Sequence, residues 1–150
     1  GGFMEIKTIK KEEIEEVRVP FFVGEVPVYR EVVKHTLAVA KLCMSIADVV
    51  EEVYGIKVNR DYLLAGAFLH DIMKVFEWKN GKRTNVLLDH TFLGVAELYK
   101  RDFPEEVIHL VASHLGESTT PPRTIEALIL HMADTLSALI ESYWPQVTGK

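Results

Sequence analysis

Residues 62–74 read Tyr62-Leu63-Leu64-Ala65-Gly66-Ala67-Phe68-Leu69-His70-Asp71-Ile72-Met73-Lys74, a segment apolar all round that runs straight into an imidazole, a carboxylate and an ammonium. A helix with no polar face has to be enclosed by other elements, so this segment predicts the centre of an α-helical bundle. Asn59 is its expected N-cap, Asp61 lies in its first turn, and the helix is expected to reach about Ile72. Asp71 then stands near a helix C-terminus, where the macrodipole disfavours a negative side chain by about 0.3 to 1 kcal/mol. Something positive should compensate it. A metal ion would do so, and so would Lys74 three residues later; the segment itself leaves both open.

Outward from this segment, helical periodicity recurs between Pro, Gly and Asn breakers. A short charged helix is expected over Glu12–Val17, then an irregular stretch through Pro20, Gly24 and Pro27, then a long helix from about Tyr29 to Tyr54 that stops at Gly55. On the other side, the runs 75–78 and 83–86 flank Asn80-Gly81, a two-residue hairpin signal. Helices follow over about Asp89–Arg101 and from Pro104 to near Gly116. After the Pro121-Pro122 loop, Thr124 caps a final helix to about Tyr143, with Pro145 expected to prevent its continuation. The fold class is therefore all-α, a helical bundle with a short β-hairpin near residues 75–86.

A chain of 150 residues fits one domain, here 28–145, with 1–27 as an N-terminal extension and 146–150 as a tail. The 48% hydrophobic and 26% charged composition suits a soluble globular core, and a net charge of -5 argues against a broad basic surface for duplex nucleic acid. The single Cys43, between Leu42 and Met44, cannot form an internal disulfide and suits a buried thiol in a reducing compartment; the cytoplasm is expected. No apolar run reaches the roughly 20 residues that span a bilayer, so no membrane partner is expected.

The six histidines separate by helix face. In the first helix Val32, Val39, Leu42, Cys43, Ile46, Val50 and Val53 form one stripe, and His35 lies inside it. His35 therefore points inward, either as a hydrogen-bonded core residue or as a metal ligand. His114 shares a face with Val107, Leu110 and Val111, whereas His109 shares one with Glu105, Glu106 and Ser113 and reads as a solvated residue. His90 follows the capping Asp89, and Gly94 one turn later leaves room for a neighbouring element. The final helix has an apolar stripe of Ile125, Leu128, Ile129, Met132, Leu136, Leu139, Ile140 and Tyr143, which places Asp134 on the opposite, partly polar side with Glu141. Periodicity alone makes Asp134 a solvated aspartate.

Taken in order, His35, His70-Asp71, His90, His114 and Asp134 resemble the ligand pattern of the HD-domain metal-dependent phosphohydrolases over residues 28–140. His70-Asp71-Ile72-Met73-Lys74 is similar to that family's His-Asp-Ile-Gly-Lys motif, with Met73 in the glycine position. Residues 32–37 and 89–95 also look like family sequence. Residues 113–117 and 126–134 look most like the HD domain of bacterial 3′-to-5′ exoribonucleases, whose OB-type nucleic-acid-binding domain does not fit in this chain. Leu115 stands where the family often has a second histidine. Thr135 and Ser137 stand where that exonuclease group tends to have further polar residues.

The resemblance implies that His35, His70, Asp71 and Asp134 bind one metal, and that His90 and His114 hold a second beside a bridging Asp71. His131 is then placed as support behind the ligands. Imidazole and carboxylate donors suit Mn, Fe, Co, Ni or Zn, and the lack of thiolates argues against a closed structural zinc site. The implied chemistry is hydrolysis of a phosphate ester by metal-activated water, with Asp71 and Lys74 as catalytic groups and Lys74, Arg123 and Arg30 as candidates to hold the phosphate. A nucleotide or other small phosphorylated substrate is favoured over single-stranded nucleic acid, with a 3′-to-5′ nuclease as the runner-up. Met73 and Leu115 motivate a third reading, a regulatory domain that retains metal without catalysis. Homo-oligomerisation is left open.

Overall fold

The structure, a computed structural model, describes residues 18–23, 26–79, 82–116 and 120–149, apart from the side chains of residues 18–30, 75, 78 and 79. The helix expected over Glu12–Val17 and the Asn80-Gly81 turn lie outside the described residues. Two strands, β1 (Arg18–Val23) and β2 (Val26–Glu31), precede α1 (Val32–Tyr54), α2 (Arg60–Leu69) and a single-turn α3 (Lys74–Glu77). The short strands β3 (Trp78–Lys79) and β4 (Lys82–Arg83) lead to α4 (His90–Lys100), α5 (Glu105–Ser113) and α6 (Ile125–Thr148).

As its sequence demands, α2 is central and packs against α1, α5 and α6. Asn59 caps it by accepting from the backbone N–H of Tyr62 at 3.1 Å, and Glu126 at the start of α6 accepts from the Asn59 N–H, tying the two helices together. The main core joins Val39, Cys43 and Ala47 of α1 to Leu63 and Ala67 of α2, Leu110 of α5 and Ala127, Leu130 and Ala133 of α6. A smaller cluster of Leu98, Val107 and Val111 seals α4 against α5. Gly55, with φ 66°, closes α1, and the side chains of Asp89 and Thr124 cap α4 and α6 as expected.

Several expectations are corrected. The stretch through Pro20, Gly24 and Pro27 is a hairpin, with β1 and β2 antiparallel in a register pairing Val23 with Val26. Proline opposed this reading, but in an isolated two-stranded pair each strand is an edge, where a missing N–H is tolerated. Because β2 continues to Glu31, α1 starts at Val32 instead of Tyr29. Pro145 lies inside α6, which continues to Thr148 and ends at Gly149 with φ 67°; proline has no N–H to donate back along the helix but does not stop a helix this long.

The largest correction concerns the faces of α6. Of the expected apolar stripe only Ile129 is buried, while Leu128, Met132, Leu136, Leu139, Ile140 and Tyr143 are 45–55% exposed. The side facing the bundle instead carries Ala127, Leu130, Ala133, Asp134 and Ser137. Small residues let α6 approach α1 closely, so the bulkier stripe is turned outward. Trp144 is 57% exposed, and Val53 at the end of the α1 stripe is 70% exposed. Among the described residues, no helix is long and apolar enough to cross a membrane.

Candidate metal centre

Four helices and one turn bring His35 (α1), His70 and Asp71 (the turn after α2), His90 (first residue of α4), His114 (the end of α5) and Asp134 (mid-α6) together, all buried. Their ring centroids form a chain, His35 to His70 at 5.6 Å, His70 to His114 at 5.1 Å and His114 to His90 at 5.5 Å.

Each imidazole engages its Nδ1 away from the centre. His70 and His114 are the C-cap residues of α2 and α5, and each donates Nδ1–H to the carbonyl three residues back, Ala67 and Val111, both at 2.6 Å. A carbonyl can only accept, so Nδ1 carries the hydrogen and Nε2 keeps its lone pair. His90 donates Nδ1–H to Glu77 Oε2 at 3.0 Å, and the same oxygen accepts the His90 backbone N–H at 3.1 Å. His35 Nδ1 lies 3.1 Å from Ser137 Oγ and 3.3 Å from Glu141 Oε1.

The Nε2 atoms converge on Asp71. Its Oδ2 is 3.4 Å from His35 Nε2 and 3.5 Å from His70 Nε2. Its Oδ1 is 3.5 Å from His90 Nε2, 3.8 Å from His114 Nε2 and 3.4 Å from Lys74 Nζ. Asp134 Oδ1 completes the first set, 2.8 Å from His35 Nε2 and 3.4 Å from His70 Nε2. Two groups result, His35-His70-Asp71-Asp134 and Asp71-His90-His114, with ligand atoms in each within 4.8 Å of one another.

These residues fit a metal on two counts. The Nε2 atoms of His70, His90 and His114 are buried and have no hydrogen-bond partner among the described residues, although buried polar atoms ordinarily find a partner. Ligand atoms bonded to one ion at about 2.1 Å lie roughly 3.0 to 3.4 Å apart, close to the spacings around Asp71 and Asp134. The protonation states are shaped by the cluster. Burial works against a charge on Asp134, but the hydrogen bond from His35 and the nearness of His70 prevail and hold its carboxyl far below the usual range. For His70, burial is outweighed by the Asp71 and Asp134 carboxylates, which raise it. Burial, with the charge of His70 next, pushes His114 down to about 4, leaving it a neutral donor.

His131, expected behind the ligands, donates Nδ1–H to the His114 carbonyl at 3.0 Å. A Cβ on Gly116, whose φ is +75°, would sit 2.5 Å from the His131 ring. Lys74 is buried against Asp71, so the ion pair weighed from sequence and the proximity to the cluster coexist. Arg123 is placed elsewhere, in a shallow depression with Glu105, Glu106, His109 and Thr124 that none of the clustered histidines and aspartates lines. His109, expected to be solvated, is half-buried and accepts the Arg123 backbone N–H at Nε2. The backbone of Arg30 belongs to β2; its side chain is outside the described residues.

Glu77, Ser137 and Glu141 were not anticipated. Ser137 and Glu141 follow Asp134 at i+3 and i+7, a polar line on one helix face that the sequence does display. No comparable signal marks Glu77, which reaches His90 only because the β3–β4 hairpin returns the chain.

Residues 32–139 match the HD domain family. The chain is 52% identical over 115 residues to the dihydroneopterin 2′,3′-cyclic phosphate phosphodiesterase of Methanocaldococcus jannaschii, covering 72% of this chain and 46% of that protein. It is 33% identical over 121 residues to the 3′-5′ exoribonuclease YhaM of Listeria innocua, covering 69% of this chain and 37% of that enzyme, and 36% identical to the Bacillus subtilis YhaM with the same coverage. The chain thus spans less than half the length of these relatives. No solved structure matches. With a family match across its helical core and with the histidines and aspartates of that pattern gathered at one buried point, the chain belongs to the HD domain family.

Proposed function

We propose that this chain is a metal-dependent phosphohydrolase that opens a small cyclic phosphodiester, of the class named for the M. jannaschii relative. The observation that carries this reading is the split carboxylate of Asp71, one oxygen facing His35 and His70 and the other facing His90 and His114. His35, His70, Asp71 and Asp134 would hold one divalent ion, and Asp71, His90 and His114 a second. When bound, such ions supply a Lewis acid for the phosphate oxygens and make water acidic enough to attack phosphorus near neutral pH. The protein's own part is to fix these ligands and to place the Lys74 ammonium beside the centre, where it meets negative charge gathering on the phosphate. No protein nucleophile is needed, and Cys43 is unsuited to be one, since burial pushes its thiol up to about 12. His131 supports the His114 carbonyl from behind.

The test is a purified protein assayed with Mn, Fe, Co, Ni or Zn on dihydroneopterin 2′,3′-cyclic phosphate, 2′,3′-cyclic nucleotides, phosphomonoesters and a single-stranded oligoribonucleotide. Cyclic phosphodiester opening is expected to dominate. The exoribonuclease relatives support the competing reading, and stepwise shortening of the oligonucleotide from its 3′ end would favour it. Bound metal without turnover on any substrate would favour a regulatory domain. Asp71→Ala should lower turnover at least about 100-fold and reduce bound metal; retention of both would overturn the site.

A further inference from the structure

We propose that Glu77 and Glu141 are positioning residues that tune the two metal positions separately, Glu77 acting on the Asp71-His90-His114 position and Glu141 on the His35-His70-Asp71-Asp134 position. This rests on the two-position reading above. The support behind the four imidazoles is distributed evenly. In each position one histidine is latched to a main-chain carbonyl, His70 to Ala67 and His114 to Val111. The other is backed by a carboxylate, His35 by Glu141 and His90 by Glu77. A carboxylate that accepts Nδ1–H fixes the tautomer and strengthens the Nε2 lone pair more than a neutral carbonyl does.

The two carboxylates are held differently, so their influence should differ. Glu77 is buried, its Oε2 binds both the ring and the backbone N–H of His90, and its Oε1 is 3.2 Å from Arg83 Nη2. His90 cannot swing without breaking two hydrogen bonds to one oxygen. Among the described residues the position it serves has only Asp71, His90 and His114, so it depends strongly on each donor. Glu141 is less buried and shares His35 with Ser137, whose hydroxyl donates to Glu141 Oε1 at 3.2 Å. Ser137 can therefore keep His35 oriented when Glu141 loses its charge. The short α3 helix and the β3–β4 hairpin acquire a role on this view: they carry Glu77 and Arg83 to the back of His90.

Metal-free protein titrated with Mn²⁺, followed by the paramagnetic signal of the free ion and by calorimetry, reads both positions without recourse to activity. Wild type is expected to take two Mn²⁺ per chain with unequal affinities. Glu77→Gln, which keeps shape and an accepting oxygen but removes the charge, should weaken one position by about 10- to 100-fold and leave the other within about twofold. Arg83→Ala, at a more exposed residue, should weaken the same position by less. Glu141→Gln should weaken the opposite position, by less than about tenfold. Equal weakening of both positions by Glu77→Gln, or no change in either, overturns the assignment while leaving the two-position reading intact. A single Mn²⁺ per wild-type chain overturns that reading, and the assignment with it.

Discussion

Gly66→Ala tests how closely α2 and α5 must approach for the centre to form. A Cβ built on Gly66 would lie 2.8 Å from Leu110 Cβ, 3.1 Å from its Cδ1 and 3.2 Å from its Cγ. Carbon atoms prefer about 3.5 Å or more, so the nearest contact is short by at least about 0.7 Å. Leu110 Cβ is one bond from the main chain and cannot rotate away, so the helices themselves have to separate. Overpacking of this kind costs about 1 to 3 kcal/mol, offset by the gain of about 1 kcal/mol from alanine over glycine in a helix. A net loss near 1 kcal/mol lowers the melting temperature of a domain this size by roughly 2 to 4 °C. Gly66 and Leu110 each stand one turn before a histidine of the cluster, His70 and His114, whose rings are 5.1 Å apart. Helix separation should therefore also weaken Mn²⁺ binding. Thermal melts of the metal-free protein by circular dichroism and a Mn²⁺ titration read the two effects. Leu110→Ala removes Cγ and Cδ1 but retains the offending Cβ, so Gly66→Ala should remain costly in that background. A Gly66→Ala protein that melts above wild type, showing only the helical gain, would refute the close-approach argument.

Occupation of the centre should stabilise the fold. Metal at about 100 times its Kd contributes about 2.7 kcal/mol, a rise of roughly 5 to 11 °C in melting temperature, reversed by a chelator; an unchanged melt on chelation of metal-loaded protein counts against a bound ion. Burial first, and the nearby Asp134 charge second, push the Cys43 thiol from the ordinary 9.0 up to about 12. Because the folded value is the higher one, its contribution to stability is complete below pH 9.0 and declines as pH rises toward 12. Iodoacetamide should accordingly label folded protein slowly even at pH 9.0 and urea-unfolded protein quickly; equal rates would contradict the burial. Asn59→Ala removes the α2 cap and should cost about 1 kcal/mol, seen as an earlier urea midpoint with an unchanged slope.

Much of the bundle was legible because its punctuation is local. Asn59, Asp89, Thr124 and Gly55 set helix ends through contacts within a few residues, and each acts as the sequence indicates. The inward aim of His35 and His114 followed from neighbours on their own helices. Asp134 did not, because α6 inverts the usual arrangement: it buries alanine, serine and aspartate, and leaves leucine, isoleucine and tyrosine half-exposed. Periodicity finds the larger apolar stripe, whereas close helix packing selects the smaller residues. Asp134 was identified only through the family's ligand order. The β1–β2 hairpin was hidden by its prolines, although Gly24-Glu25 between runs rich in valine and aromatics was a visible turn signal. Glu77 could not be read at all, since its meeting with His90 depends on where a 13-residue excursion returns.

The carbonyl latches of His70 and His114 divide the centre by how its parts come into being. These two rings are aimed by atoms three residues away, so each is oriented as soon as its own helix end forms. His35 meets Asp134 only after a separation of 99 residues has been closed. Half of the imidazole set is thus written into secondary structure, and the other half is a report on tertiary assembly. A cation that needs all of it can be retained only by a chain whose last helix has docked, so metal retention during unfolding should follow the α1–α6 contact more closely than overall helix content.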